Sequence, residues 1–125
     1  MTQEDRILLL KDLSARLPYG IKVNNEIQGD FKIYGICENF AFVRNEVCHI
    51  DFDIEKIKPY LFPLSSMTEE QDKEFALLQT SAGKDGFLYA WNCATMMKWL
   101  LENHFDYNGL IKKGLAIDAT NKNIY

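Results

Sequence analysis

The chain has 125 residues, 47% of them hydrophobic and 26% charged, with a net charge of −4. A chain of this length fits one domain and buries roughly two-thirds of its unfolded surface, which excludes wholesale disorder and any need for metal or disulfide staples. The acidic, interleaved balance also argues against a polyanion binder. The nearest basic cluster, Lys112, Lys113 and Lys122, has Asp106 and Asp118 beside it, so nucleic acid is disfavoured as a partner.

Three cysteines, Cys37, Cys48 and Cys93, are odd in number and form no CxxC pair, which points to a reducing compartment. Each has apolar neighbours, so core packing is the expected role, and metal-ligand spacing is absent. The acidic opening Met1-Thr2-Gln3-Glu4-Asp5-Arg6, followed by the short run Ile7 to Leu10, is not a secretory leader. No apolar run approaches the roughly 18 to 20 residues of a membrane span. A soluble cytoplasmic protein is the expectation.

Thr2 to Leu17 reads as the first helix. Thr2 and Asp5 stand at capping positions, and Glu4 suits the positive end of the helix dipole. Ile7, Leu10, Leu13 and Leu17 recur at helical spacing, with Leu9 and Ala15 widening the stripe; Pro18 and Gly20 end it. The period then falls to two. Ile21, Val23 and Ile27 alternate with Lys22, Asn24 and Glu26, a half-buried strand. Gln28-Gly29-Asp30 turns into a second strand, Phe31 to Cys37, with Phe31 and Ile33 on one face and Tyr34 and Ile36 on the other. Phe40 to Arg44 and Val47 to Ile54 follow after the turns Glu38-Asn39 and Asn45-Glu46. Connections this short require antiparallel neighbours, so residues 20–64 form an antiparallel meander. A helical turn over Ile54 to Lys58 stops at Pro59, and Tyr60 to Leu64 is extended. That order matches an SH3-like small barrel; an open curved sheet covered by helices is the alternative.

Thr68 with Gln71 forms a capping box, and Glu69 and Glu70 occupy the first turn of a second long helix. Phe75 and Leu78, with Leu77, supply its buried side. Ser81 to Gly86 reads as a flexible break. A third long helix runs from Phe87 to Asn103. Its stripe is Tyr89, Cys93, Met96 with Met97, and Leu100, with Trp91 and Trp99 elsewhere on the cylinder, which places it between the sheet and another layer. Asp106 is positioned to cap a short helix through Leu110 and Ile111 that Gly114 ends. Leu115-Ala116-Ile117 then starts a last strand or an extended strap over 113–125. The whole is a single α+β domain, 1–125, with a helical part over 68–112.

Lys58-Pro59-Tyr60-Leu61-Phe62-Pro63-Leu64-Ser65-Ser66-Met67-Thr68-Glu69-Glu70 resembles a KPYLRPLSSMTEE signature. Trp99-Leu100, His104-Phe105-Asp106-Tyr107-Asn108-Gly109-Leu110-Ile111 and Lys113-Gly114-Leu115-Ala116 resemble a WL…HFDYRGLIEKGLA tail. Both are similar to a family of small uncharacterised proteins of gut-anaerobe bacteria, their prophages and their phages, as is the opening from Leu8 to Val23. The resemblance touches about half the chain and implies a setting, with no activity to carry over. Phe62 and Asn108 stand where that pattern has arginine, so an anion site built on those arginines would lack both charges here.

The sharpest constellation is His49-Ile50-Asp51-Phe52-Asp53. Alternate strand residues share a face, so His49, Asp51 and Asp53 project together and could hold a divalent cation or share proton transfer. The same alternation is explained by Cys48, Ile50, Phe52 and Ile54 facing the core over a wet outer side, with Asp53 capping the next turn. His104, near a helix C-terminus, suits the dipole as a cation, and a His104–Asp106 pair lacks a placed nucleophile, Cys93 being expected inside. Gly83, Lys84 and Gly86 do not make a phosphate loop. Ser65-Ser66 before a helix could receive an anion or satisfy backbone groups. Tyr19, Tyr34, Tyr60 and Tyr107 are candidates to line a groove, or core residues.

These residues name no activity. The leading expectation is a non-enzymatic binding or regulatory protein, accessory to a phage or mobile element, with host interaction or anti-defence as versions of that role. Its partner would be a protein or a second copy of itself, with no cofactor. Alternatives are a small metal-dependent hydrolase using His49, Asp51 and Asp53, and a homo-oligomer joined around Trp91 and Trp99.

Overall fold

The computed structural model describes the backbone of residues 1–80 and 86–125 and the side chains of 1–78 and 93–125. Of the break expected over Ser81 to Gly86, residues 81–85 lie outside the described residues and Gly86 already belongs to the next helix; the side chains of Tyr89 and Trp91 also lie outside them.

Helix α1, Gln3–Arg16, starts where Thr2 Oγ1 accepts the Asp5 amide at 3.1 Å. Its buried face carries Leu9, Asp12, Leu13 and Arg16. Ile7, expected on that face, is 45% exposed. The stripe is rotated because Asp12 and Arg16, one turn apart, neutralise each other and can therefore stand inside. Gly20, at φ +71°, takes the left-handed step that turns the chain into the sheet.

Four strands follow as a meander: β1 Lys22–Asn25, β2 Gly29–Cys37, β3 Phe40–Arg44 and β4 His49–Asp53. Ile21 and Val23 are fully buried, but Ile27 is 92% exposed. Asn25 takes the inward place instead: its Oδ1 accepts the amides of Ile27 and Gln28, and its Nδ2 donates to the Lys56 carbonyl oxygen. The β2–β3 register slips by one residue between Ile33 and Gly35, a bulge at Tyr34. Strict alternation would put Tyr34 and Ile36 together on the face opposite Phe31 and Ile33. The bulge leaves Tyr34 outside and returns Ile36 to the core side.

A 3-10 turn, Ile54–Lys56, leads into β5, Lys58–Pro63, which pairs antiparallel with β1. The strand order β4-β3-β2-β1-β5 is that of a small barrel. The barrel is not closed by a β4–β5 ladder, because the other edge of β5 is occupied. Two short strands, β6 Phe105–Asp106 and β7 Ile117–Asp118, pair with β5 in parallel. The sheet is therefore mixed, and among the described residues it is open. The antiparallel meander expected over 20–64 holds throughout, and the parallel pairs come from the later strands, whose long connections permit them.

α1 lies over the inner face, where Leu9 and Leu13 meet Ile21, Val23, Ile33, Val43, Ile54 and Leu61, all at most 2% exposed. Each such burial contributes roughly 1.5–3 kcal/mol. Helix α2, Glu69–Thr80, opens on the expected capping box, with Thr68 and Gln71 bonded reciprocally at 3.0 and 3.1 Å. Helix α3, Gly86–Glu102, buries Trp99, Leu100 and Leu101, whereas Cys93 is exposed and Met97 is 41% exposed. Trp99 stacks between Phe75 and Phe105 in a second apolar cluster. The short helix expected after Asp106 is a run of turns, although Asp106 does cap it: its carboxylate accepts the amides of Leu110 and Ile111 at 2.9 and 3.0 Å. Among the described residues no helix is long and apolar enough to cross a membrane.

Candidate functional site on the outer face of the sheet

His49, Asp51 and Asp53 do leave β4 on the outward side, as the alternation requires, but they do not converge. The Asp53 carboxylate accepts the Glu55 amide at 3.0 Å and Arg6 Nη2 at 3.1 Å, so it caps the 3-10 turn and anchors α1. Those hydrogen bonds, the Glu55 amide foremost, hold it below the usual carboxylate range. The His49 ring sits edge-on to Tyr34, with centroids 5.8 Å apart. Among the described residues no group of three His, Cys, Asp or Glu side chains is placed to hold a metal ion.

His104 is not the helix-terminal cation expected of it. It follows α3 at φ +61°, stacked on Tyr125 with ring centroids 3.7 Å apart, and its buried Nδ1 has no hydrogen-bond partner among the described residues. Burial first, then the charges of Arg16 and Lys22, push its pKa down to about 4, so the ring is neutral at pH 7. The unfolded chain takes up this proton near pH 6.5 and the folded chain does not, so stability falls as pH drops from about 6.5 to 4. The loss is on the order of 1–2 kcal/mol for a half-buried ring. His104→Asn, which tolerates the left-handed backbone, is expected to flatten the urea midpoint across that window; an unchanged slope would mean the proton is taken up elsewhere. Asp53 and Asp118, both lowered, lose their contribution only below about pH 4.

Beside His104 lies a pair that hydrophobic periodicity hides. Arg16, fully buried, donates Nε and Nη2 to Asp12 at 2.7 and 3.2 Å and Nη2 to the Phe105 carbonyl oxygen at 2.7 Å. Asn108 Nδ2 donates to Asp12 at 2.9 Å, and the guanidinium lies 5.1 Å from the Tyr107 ring centre. The sequence signal was present: Asp and Arg four apart between Leu9, Leu13 and Leu17. Phe62 packs against Phe105 and Tyr125. Three of the four tyrosines have separate surroundings. Tyr60 is buried and donates to Asp30, Tyr107 lies under Arg16, and Tyr34 is on the outer face. Ser66 satisfies the Pro63 carbonyl oxygen.

The outer face itself assembles what the chain scatters. Lys22 pairs with Lys32, Lys32 with Arg44, and Arg44 with His49 in successive ladders. Three cations and an imidazole therefore form one row across four strands, spanning roughly 15 Å at ordinary strand spacing. Next to the row, Tyr34 lies 6.3 Å from Phe42, and the Arg44 guanidinium covers Tyr34 at 5.5 Å. A cleft of about 590 Å³ opens at the end of the row, lined by Lys22, Lys32, Arg44, Asp30, Glu46 and Asn123 among others. Its wall is the final residues. Tyr125 receives the Lys22 amide and donates to the Tyr60 carbonyl oxygen, each at 2.9 Å, while Lys22 Nζ donates to the Ile124 carbonyl oxygen at 2.7 Å.

Two of the cysteines depart from expectation: Cys37 and Cys93 are exposed, whereas Cys48 is half-buried and packs against the core as expected, all three being unpaired. Cys37 ends β2 where the bulge has already shifted the facing, and the described burial of α3 is concentrated in its last turns, beyond Cys93. No protein-family model matches this chain, and neither does any curated protein or solved structure.

Proposed function

We propose that the chain is a non-catalytic binding module that takes a protein partner on the outer face of β2, β3 and β4. One observation carries this reading: β3 is inside out. Along Phe40-Ala41-Phe42-Val43 the small Ala41 and Val43 are fully buried, while Phe40 is 44% exposed and Phe42 is half-buried on the outer side. Folding alone favours the opposite arrangement, since burying a phenylalanine removes far more apolar surface than burying an alanine. With Tyr34 at 48% exposure beside Arg44, the face has the aromatic and arginine content of a protein-binding hot spot.

Three unpaired cysteines support a reducing, cytoplasmic setting. The likeness of the 58–70 and 99–116 stretches to small phage and gut-anaerobe proteins supports an accessory role in a mobile element, directed at a host protein.

Tyr34→Ser with Phe40→Ser tests the reading. Tyr34 and Phe40 are each about half exposed, so each change is expected to cost on the order of 1 kcal/mol and to leave the chain folded, which a thermal melt verifies. Quantitative cross-linked capture is expected to recover a partner with the natural chain and to lose it with the double variant. If that capture depends on concentration and returns the chain itself, the partner is a second copy. Equal capture by both forms would end the proposal.

A further inference from the structure

We propose that the cleft at Lys22, Lys32 and Arg44 receives the carboxylates of an acidic segment of that partner, laid across the strand ends beside the aromatic patch. The inference rests on the binding-module reading and specifies the chemistry of the partner.

The row of cations is set against folding. Lys32 stands directly opposite Lys22 on one side and Arg44 on the other, and like charges facing each other in an antiparallel pair are destabilising. Among the described residues, neither Lys32 nor Arg44 lies within ion-pair distance of a carboxylate. The acids of the cleft do not answer them. Asp30 is held by the Tyr60 hydroxyl at 2.6 Å and the Asn24 amide at 2.8 Å, and Glu46 is exposed in the β3–β4 turn. Asn45 directs Oδ1 to the amides of Val47 and Cys48, which leaves its Nδ2 as a donor on the same rim. A carboxylate entering the cleft would therefore meet a guanidinium suited to paired hydrogen bonds, an ammonium and an amide.

The same geometry separates an acidic peptide from a nucleic acid strand. A single strand of nucleic acid needs a long basic track and open ring faces for its bases. Here the cations stop after one row, the chain as a whole carries −4, and the ring of Tyr34 is already covered by Arg44. The aromatic side chains around it instead suit the apolar residues that alternate with acids in an extended peptide.

The test uses the full chain and three labelled probes: an eight-residue peptide alternating glutamate and leucine, the same peptide with glutamine for glutamate, and an oligothymidylate of similar length. The glutamate peptide is expected to bind and to shift the amide resonances of Lys32, Arg44 and Asn45. Lys32→Gln with Arg44→Gln should weaken it about tenfold or more, while Lys73→Gln, on exposed α2, should not. Thermal melts of each variant verify folding, and Arg44→Glu alone serves if the double variant melts early. Equal binding of the glutamine peptide, or tighter binding of the oligonucleotide, overturns the proposal. Failure of the glutamate peptide while the Tyr34 and Phe40 variants still abolish partner capture overturns this inference alone and leaves the binding-module reading standing.

Discussion

Asp12→Ala is expected to destabilise the fold by about 3–5 kcal/mol, because it leaves the Arg16 guanidinium buried without its counter-charge. Both side chains are fully removed from water, and Asp12 accepts from Arg16 and Asn108 together. Arg16 would retain only the Phe105 carbonyl oxygen and the face of Tyr107. Its Nη1 already lacks a hydrogen-bond partner among the described residues, so little compensation is at hand. Replacing both charges, Asp12→Leu with Arg16→Met, should recover much of the loss, since a well-packed apolar pair often equals a buried ion pair in stability. Urea titration of the single and double variants measures the difference. A single variant within about 1 kcal/mol of the natural chain would show that the charge escapes to water. The consequence reaches the candidate site as well. Arg16 ties α1 to β6, and β6 follows directly from His104, on which Tyr125 stacks beside the cleft.

Phe105→Ala should cost a similar amount, about 3–5 kcal/mol, through the cavity it opens. Phe105 is 1% exposed, stacked on Trp99 at 5.6 Å and tilted against Phe62 at 6.3 Å. It joins the cluster under α2 and α3 to β5, the strand on which β6 and β7 are laid. The emission of Trp99, read in a Trp91→Phe background, is expected to move to longer wavelength as water reaches the indole. Phe105→Leu, which keeps most of the volume, should give a smaller shift and a smaller loss. An unmoved unfolding midpoint for Phe105→Ala would mean that the second cluster adds nothing to global stability.

Much of the local architecture was legible. Thr2 and the Thr68–Gln71 box marked helix starts correctly because a cap needs only residues three positions apart. The meander from β1 to β4 was legible because two-fold alternation interrupted by short turns admits one pairing scheme. Facing was less secure. A single bulge at Tyr34 inverted the rest of β2, and Asn25 displaced Ile27 from the core by bonding two amides of its own turn. The α1 stripe was misjudged because Asp12 and Arg16 look solvent-directed until their pairing is known.

The candidate site was legible in part. His49, Asp51 and Asp53 were placed on the correct side of β4, yet Asp53 is spent on Arg6 and Glu55, and His49 belongs to a different arrangement. Phe40 and Phe42 could have been noticed as the large members of an alternating strand.

The sequence by itself determined the α+β class, the helix caps, the four hairpin-linked strands and the outward direction of β4, because these rest on contacts within a few residues or on a strict period. The tertiary structure decided the open sheet, the buried Asp12–Arg16 pair, the neutral His104 and the row from Lys22 to His49. Each of those joins residues far apart in the chain. Two lysines, an arginine and a histidine carry no joint meaning until strand register sets them side by side, and register depends on the bulge and on which faces the core selects.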